Sequence, residues 1–469
     1  MKRVHFSMIL LILAGFFIAA LVANFVMIDG DKKSNSFYVG VTFCGNTTTE
    51  AKLLIDKVKN YTNLFILQSG SLQQFPDKIN EIGDYAVSSG MYFIVYFGGD
   101  SRFYLEKWLE TYDGRWGDWF LGVYYGDEPG GNMLDDGAIF WDKQTNSLIT
   151  KTVDSRGVQI SIFKSSENTS ITYWPDGKIE LSKCDYPTVP SYSNVTTTII
   201  TYFPNGTITI KILELGGSPI KVDDNYNVTH TYEELWNARP FQSYDETAER
   251  FIEQHRTNLE IGLNQTITAF TSDYALYWFD YLASYDVVLA QFGWNQTTVQ
   301  DIALIRGAAY LQNKSWGVII TWKYTNPPYL ASGEEIYDQM RIAYECGAEY
   351  VIIFNYPTIE GNNYGILQDE HFEALERFWN EVVQNPKMVH GGIKAEAALV
   401  LPRNYGWGMR HPEDTIWGLW NPDEKAQQIW ELLQKTLAKH GLHLDIVYDD
   451  PTYPATGKYQ QIYYWNQTS

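Results

Sequence analysis

FYVGVTFC at residues 37–44 is the first of four short apolar stretches that follow one another at regular distances. The other three are NLFILQ at 63–68, MYFIVYFG at 91–98 and FLGVYY at 120–125. Between them lie amphipathic segments with apolar residues at helical spacing, for example residues 48–59. Continuous apolar strands that alternate with helices are typical of a parallel sheet that is covered on both faces.

The same alternation resumes in the second half of the chain. It predicts helices at 244–262, 298–312, 332–346 and 368–384, and strands at 266–271, 286–292, 316–322 and 349–355. The pattern gives eight strand–helix units within residues 37–388. Without residues 132–240, these units together have close to the about 250 residues that are typical of a (β/α)8 (TIM) barrel. We therefore predict an α/β fold with a closed barrel, and a doubly wound open sheet is the alternative.

Residues 132–240 interrupt the barrel pattern and are rich in Thr, Ser and Tyr. They contain a near-repeat, ITYWPDGKI at 171–179 and ITYFPNGTI at 200–208. Pro-Asp-Gly and Pro-Asn-Gly between β-rich flanks predict hairpin turns, because Gly and Asn tolerate positive φ. The segment is therefore predicted to be an antiparallel β insertion after the fourth barrel strand.

Residues 389–469 form a further predicted domain. A strand at 394–402, a helix at 422–440 and strands near 444–449 and 460–464 indicate a small Rossmann-like α/β unit. It lacks a Gly-x-Gly-x-x-Gly turn, so we predict no nucleotide and no other cofactor.

The N-terminus carries a membrane signal. Lys2 and Arg3 precede an apolar run over residues 4–28, and a membrane-spanning helix needs about 20 such residues. We predict an uncleaved anchor at 1–28, a polar linker at 29–36 and, from the position of the basic residues, an extracellular C-terminal part. The expectation is thus a single-pass protein of the cell membrane.

Glycosylation motifs and charge agree with an outward-facing protein. Asn-x-Ser/Thr sequons, which mark a glycoprotein, begin at Asn46, Asn60, Asn168, Asn194, Asn205, Asn227, Asn264, Asn295, Asn313 and Asn466. The net charge of −21 argues against a nucleic-acid partner, which would require a basic face.

The end of the fourth predicted strand carries the most specific motif, Tyr-Tyr-Gly-Asp-Glu-Pro-Gly-Gly at 124–131. Here the chain resembles (β/α)8-barrel glycoside hydrolases, many of which place Asn-Glu-Pro or Asp-Glu-Pro at this strand end. The resemblance implies that Glu128 is the general acid/base. Segments 316–322 and 405–420 also resemble uncharacterised archaeal surface proteins, a likeness that implies no activity.

The second carboxylate that glycoside cleavage requires is not at the position that the resemblance implies. The largest retaining group has a Glu at the end of strand 7, whereas this chain has Thr321 and Trp322 there. Asp127 and Asp273 are the leading candidates for the missing catalytic residue. Asp100 and Glu360, after strands 3 and 8, are the alternatives.

Carbohydrate is the expected ligand, because the predicted barrel mouth is aromatic and sugar rings present apolar faces. The predicted substrate-binding residues are Tyr125, Gln291, Trp294, Trp322, Tyr324, Asn355 and Tyr356. No His-Glu-x-x-His or Gly-x-Ser-x-Gly motif is present, and no metal site is predicted.

The sequence therefore predicts a membrane-anchored extracellular glycoside hydrolase that acts on polysaccharide or glycoprotein glycans. The alternative is a non-catalytic glycan-binding or cell-envelope structural protein built on a hydrolase-like barrel.

Overall fold

A computed structural model describes residues 37–98, 101–185, 196–214, 219–222, 228–263, 266–294 and 297–467. Eight parallel strands in these ranges close into a barrel, in the spatial order β1 (Tyr38–Phe43), β2 (Leu64–Leu67), β3 (Tyr92–Phe97), β4 (Phe120–Tyr125), β13 (Ala269–Asp273), β14 (Val287–Phe292), β15 (Ser315–Ile320) and β16 (Tyr350–Ile353). The predicted closed barrel is confirmed, and the open sheet is excluded.

Helices alternate with the barrel strands: α1 (Thr48–Val58), α2 (Pro76–Ser88), α3 (Arg102–Tyr112), α6 (Tyr244–Gly262), α7 (Tyr277–Leu282), α8 (Thr298–Gln312), α9 (Gly333–Glu345) and α10 (Asp369–Phe378). A π-helical turn, Trp379–Gln384, extends α10, and a 3-10 turn, Gly117–Trp119, leads into β4. Thr47, Ser243 and Ser332 cap α1, α6 and α9, because each side chain accepts a backbone N–H of the first turn.

The barrel strands are buried on both faces, which explains their unbroken apolar sequences. Every residue of β2, β14 and β16 is buried. Strand β14 runs parallel to β15 and pairs Gln291 with Ile319, so the last residues of these two strands reach the same end of the barrel. Polar residues at this carboxyl end are therefore the ones that the fold brings together.

An antiparallel sheet is inserted between β4 and α6, as predicted. It is a meander of eight neighbouring strands: β5 (Ile139–Asp142), β6 (Ser147–Asp154), β7 (Gly157–Lys164), β8 (Thr169–Tyr173), β9 (Ile179–Asp185), β10 (Thr196–Tyr202), β11 (Ile208–Glu214) and β12 (Pro219–Val222). The short helices α4 (Pro129–Asp135) and α5 (Tyr232–Asn237) flank it. The two repeated sequences form the β8–β9 and β10–β11 hairpins, whose turns contain Gly177 and Gly206 at φ values of 83° and 84°.

The C-terminal part is a three-stranded parallel sheet with β17 (Ala397–Leu401) in the centre, between β18 (Leu444–Tyr448) and β19 (Gln461–Tyr464). Helix α11 (Glu424–His440) and a 3-10 turn, Gly441–His443, connect β17 to β18. Helix α8 of the barrel packs against β18 at Gly307, where a Cβ atom would lie 2.9 Å from the backbone oxygen of Ile446. This close approach requires a glycine and joins the C-terminal sheet to the barrel.

A buried ion pair lies at the same interface. The Nε atom of Arg306 on α8 donates to Oδ1 of Asp445 on β18 at 2.8 Å, and Tyr459 donates to Oδ2 at 2.9 Å. The Arg306 guanidinium also donates to the carbonyl oxygens of Ile393, Leu442 and Leu444. Buried charges are tolerated where they are paired and hydrogen-bonded in this way.

The prediction of a membrane-spanning helix in front of the barrel requires correction. Within the described ranges, no helix combines the length and the apolar character needed to cross a membrane. Residues 4–28, on which the prediction depends, lie outside the described residues. Single-pass anchoring and the localisation derived from it are therefore not supported.

Candidate active site

A cavity of about 210 Å³ opens at the carboxyl end of the barrel strands. Residues from six barrel strands or the segments that follow them surround it, and all but one of them are polar or aromatic: Gln68, Asp127, Glu128, Ser272, Gln291, Trp294, Ile319, Thr321, Trp322, Phe354 and Tyr356. A (β/α)8 barrel binds its ligands at this end. The cavity is therefore the candidate active site.

The backbone after β4 directs two neighbouring carboxyl groups into this cavity. Successive side chains of a strand point to opposite faces, so adjacent residues do not ordinarily line one pocket. Here Gly126 and Glu128 both adopt left-handed conformations, with φ values of 74° and 52°. A non-glycine residue pays a conformational cost in this region, and such residues are concentrated at functional sites. The turn allows Asp127 and Glu128 to line the same cavity.

Two hydroxyl groups, one from β4 and one from β13, donate hydrogen bonds to Asp127. The Tyr124 hydroxyl donates to its Oδ1 atom, and the Ser272 hydroxyl donates to the same atom at 2.9 Å. Burial and the neighbouring Glu128 charge raise the pKa of Asp127 to about 7, although the two hydroxyl groups act to lower it.

Glu128 is half-buried and has a single side-chain hydrogen bond among the described residues. The Gln291 amide donates to its Oε1 atom at 2.6 Å and to the Ser272 hydroxyl at 3.0 Å. Burial raises the pKa of Glu128, and Gln291 lowers it by stabilising the carboxylate. A raised pKa keeps a carboxyl group protonated at higher pH, which is what a general acid requires.

Gln291→Leu is expected to move the alkaline limb of the pH–activity profile to higher pH. A general acid is active only while protonated, so activity is lost as the pH rises through its pKa. Removal of the Gln291 hydrogen bond raises that pKa further, because the ionised form loses a stronger contact than the neutral form does. The measurement is kcat/KM against pH. Gln68→Leu, which changes a cavity residue without a hydrogen bond to Glu128, should leave the limb in place.

Asp273 lies at the end of β13 but does not line the cavity. Its side chain is fully buried and accepts the backbone N–H groups of Gly130, Gly131, Tyr274 and Ala275. Burial raises its pKa to about 7, while these N–H groups act in the opposite direction. Its oxygens are occupied by the backbone at the start of α4 and after β13, so its observed role is structural.

Asp273→Asn is expected to lower the free energy of unfolding by about 2–3 kcal/mol, because the amide nitrogen would face a backbone donor in a buried site. The free energies of unfolding are measured by chemical denaturation. Glu413→Gln, which changes an exposed carboxylate, is the control variant. Unchanged stability of the Asn variant would contradict the structural role.

Aromatic rings line the same cavity as the two carboxyl groups. The Trp322 and Tyr356 rings stack at 6.2 Å with an interplanar angle of 8°, and the Trp322 indole N–H donates to the Tyr356 carbonyl oxygen. Trp294 packs against Trp322 at 5.5 Å and remains 44% exposed. These three predicted residues therefore come together beside Glu128, with ring surface open to a ligand.

The other predicted binding residues lie outside this cavity. Tyr324 lines a neighbouring groove of about 530 Å³ that shares Trp294 with the cavity. Asn355 is buried and lines a different pocket, and its Oδ1 atom accepts the Ile366 N–H. Tyr125 is buried beside Gly262 of α6, on the side of β4 opposite to Tyr124. These placements leave Tyr125 and Asn355 without access to a ligand in the cavity.

Ser272 and Gln68 line the cavity but were not predicted from the sequence. Only the position of Ser272 could have been inferred from a sequence pattern. Ser272 precedes Asp273 on the same strand, and strand alternation directs it inward once the strand is known to extend to residue 273. Of the remaining candidate carboxylates, exposed Glu360 lines the pocket that contains Asn355, and Asp100 lies outside the described residues.

Helix α4, which follows Glu128 directly, is anchored by three parts of the chain. Asp273 holds its first N–H groups, and Lys151 of β6 donates to the carbonyl oxygens of Met133 and Leu134 near its end. Arg410 of the C-terminal part pairs with Asp135, the last residue of the helix. The position of Glu128 therefore depends on the barrel, the insertion and the C-terminal part together.

Fold and cavity together define a (β/α)8-barrel protein with an adjacent pair of carboxyl groups and an aromatic wall at its mouth. No protein family and no curated protein matches the sequence. The resemblance to glycoside hydrolases is thus carried by the Asp-Glu-Pro motif alone.

Proposed function

We propose that the chain is a glycoside hydrolase in which Glu128 is the general acid/base. The observation that supports this most directly is the position of Glu128, half-buried and with a raised pKa in a cavity that stacked aromatic rings also line. A protonated carboxyl group donates a proton to the leaving oxygen, and the ring faces bind the apolar face of a sugar. Polysaccharides or glycoprotein glycans are the proposed substrates.

A panel of glycans and aryl glycosides incubated with the purified protein tests the proposal. Appearance of new reducing ends, detected chemically and by mass, is the expected result. The Glu128→Gln variant, purified by the same procedure, controls for contaminating glycosidases. If the protein cleaves no member of the panel, the proposal is wrong.

A non-catalytic glycan-binding protein is the second candidate function. It is favoured by the end of β15, where Thr321 and Trp322 line the cavity and no carboxylate stands. Binding of a glycan without any cleavage, at an affinity that Trp322→Ala reduces, would support this function over hydrolysis.

A further inference from the structure

We propose that the sugar bound in the cavity carries a 2-acetamido group, and that the carbonyl oxygen of this group attacks the anomeric carbon. This inference rests on the proposed glycosidase function and names its substrate class. It also assigns Asp127 as a second catalytic residue, which binds the N–H of the acetamido group.

The distribution of carboxyl groups is the first observation that supports the inference. Hydrolysis by two protein carboxyl groups requires that they flank the scissile bond on the two sides of the sugar. Among the described residues that line the cavity, the only carboxyl groups belong to Asp127 and Glu128, which are adjacent in the chain. Asp273 is occupied by backbone N–H groups, and Glu360 lines a different pocket. Elsewhere in the cavity lining, no described residue has a carboxyl group that could act as the nucleophile.

The hydrogen bonds of Asp127 are the second observation. The Tyr124 and Ser272 hydroxyl groups both donate to Oδ1, and within the described residues no hydrogen bond reaches Oδ2. The two hydroxyl donors oppose the effect of burial on the pKa of Asp127, and they fix the orientation of its carboxyl group. Oδ2 of this carboxylate therefore remains available to accept a hydrogen bond from a ligand, and an amide N–H is a suitable donor.

The size and composition of the cavity are the third observation. A volume of about 210 Å³ lies below the range of about 300–1,000 Å³ that is typical for drug-sized ligands, which suits one sugar ring with a small substituent. Ile319, Trp322 and Phe354 provide apolar surface within the lining. An acetamido group has a polar N–H for Asp127 and a methyl group for this surface.

The proposed reaction has two balanced steps. In the first, an electron pair of the acetamido carbonyl oxygen forms a bond to the anomeric carbon, the bond from that carbon to the leaving oxygen breaks, and the leaving oxygen takes the proton of Glu128. The positive charge of the resulting oxazolinium ring lies beside the Asp127 carboxylate. In the second step, water adds to the anomeric carbon and gives a proton to Glu128, while the ring bond breaks and restores the acetamido group.

Matched aryl β-glycosides test the substrate class. We expect kcat/KM to be at least about 100-fold higher for aryl 2-acetamido-2-deoxy-glucosides or galactosides than for the corresponding glucosides or galactosides, because the intramolecular nucleophile is absent from the latter. Mono-, di- and trifluoroacetamido substrates should be cleaved progressively more slowly, because fluorine withdraws electrons from the attacking oxygen. Comparable rates for substrates with and without the acetamido group would overturn the inference and leave the proposed function intact. Cleavage of no glycoside would overturn both.

The Asp127→Asn variant tests the assigned residue. Its kcat on the 2-acetamido substrate is expected to fall by about 100-fold or more, because a neutral amide stabilises the oxazolinium charge less than a carboxylate does. A thiazoline derivative of N-acetylglucosamine, which imitates the oxazolinium ring, should inhibit the native protein and bind the variant weakly. Glu360→Gln is the control and should retain native kinetics and inhibition. Native affinity of Asp127→Asn for the thiazoline would contradict the assignment.

Discussion

Glu128→Gln is expected to lower kcat by about 100- to 10,000-fold on a glycan substrate, which is the range that general acid–base catalysis contributes. The change removes the transferable proton but retains the side-chain length and the ability to hydrogen-bond with Gln291. Substrate binding should therefore persist, and the loss should lie in kcat rather than KM. Steady-state kinetics and direct binding measurements on native and variant protein provide the comparison.

Two controls separate a loss of acid catalysis from a loss of structure. Glu360→Gln alters an exposed carboxylate near the barrel mouth that does not line the cavity, and it should keep native kcat. Aryl glycosides with acidic leaving groups need little protonation, so Glu128→Gln should slow their first step less than that of natural glycans. An equal loss on both substrate types would be inconsistent with a general acid.

Arg306→Met is expected to destabilise the protein by about 3–5 kcal/mol, the cost of breaking a buried ion pair by removing one partner. The substitution leaves the Asp445 carboxylate buried without its cation and deprives three carbonyl oxygens of a donor. A large decrease in the midpoint of thermal unfolding, and early proteolysis at the junction of the C-terminal part with the barrel, are the expected observations.

Two further variants serve as controls for this prediction. Arg341→Met breaks the pair with Glu345 on the surface of α9, and about 1 kcal/mol or less is expected there because solvent screens exposed charges. Adding Asp445→Asn to Arg306→Met removes the unpaired charge and should restore part of the lost stability. If the double variant is less stable than Arg306→Met alone, the ion pair is not the origin of the effect.

The barrel was predictable from the sequence because its strands and helices differ in both length and periodicity. Helix α8 was predicted with its observed bounds, 298–312, because the apolar strands on either side of it leave few alternatives for the segment between them. The positive-φ turns of the insertion were also predictable, because Gly177 and Gly206 follow Pro-Asp and Pro-Asn. In each case a local pattern determines the local structure.

The site was predicted less well, because it depends on the face to which each strand residue points. Strand β13 ends at Asp273 rather than at residue 271, which places Asp273 outside the cavity and Ser272 inside it. The same alternation separates Tyr124, which contacts Asp127, from Tyr125. A shift of one residue exchanges the two faces of a strand, and sequence patterns locate strand ends only to within a few residues.

Helix α4 is anchored by residues that are far apart in the sequence, and this affects when its position becomes fixed during folding. The ion pair between Arg410 and Asp135 joins residues 275 positions apart, and closure of so long a loop costs conformational entropy before the pair can form. A nascent or truncated chain that has the barrel but not its last segment would hold the two carboxyl groups loosely. If the proposed function is correct, activity should therefore appear only after Arg410 has paired with Asp135, and turnover would report on the formation of this pair.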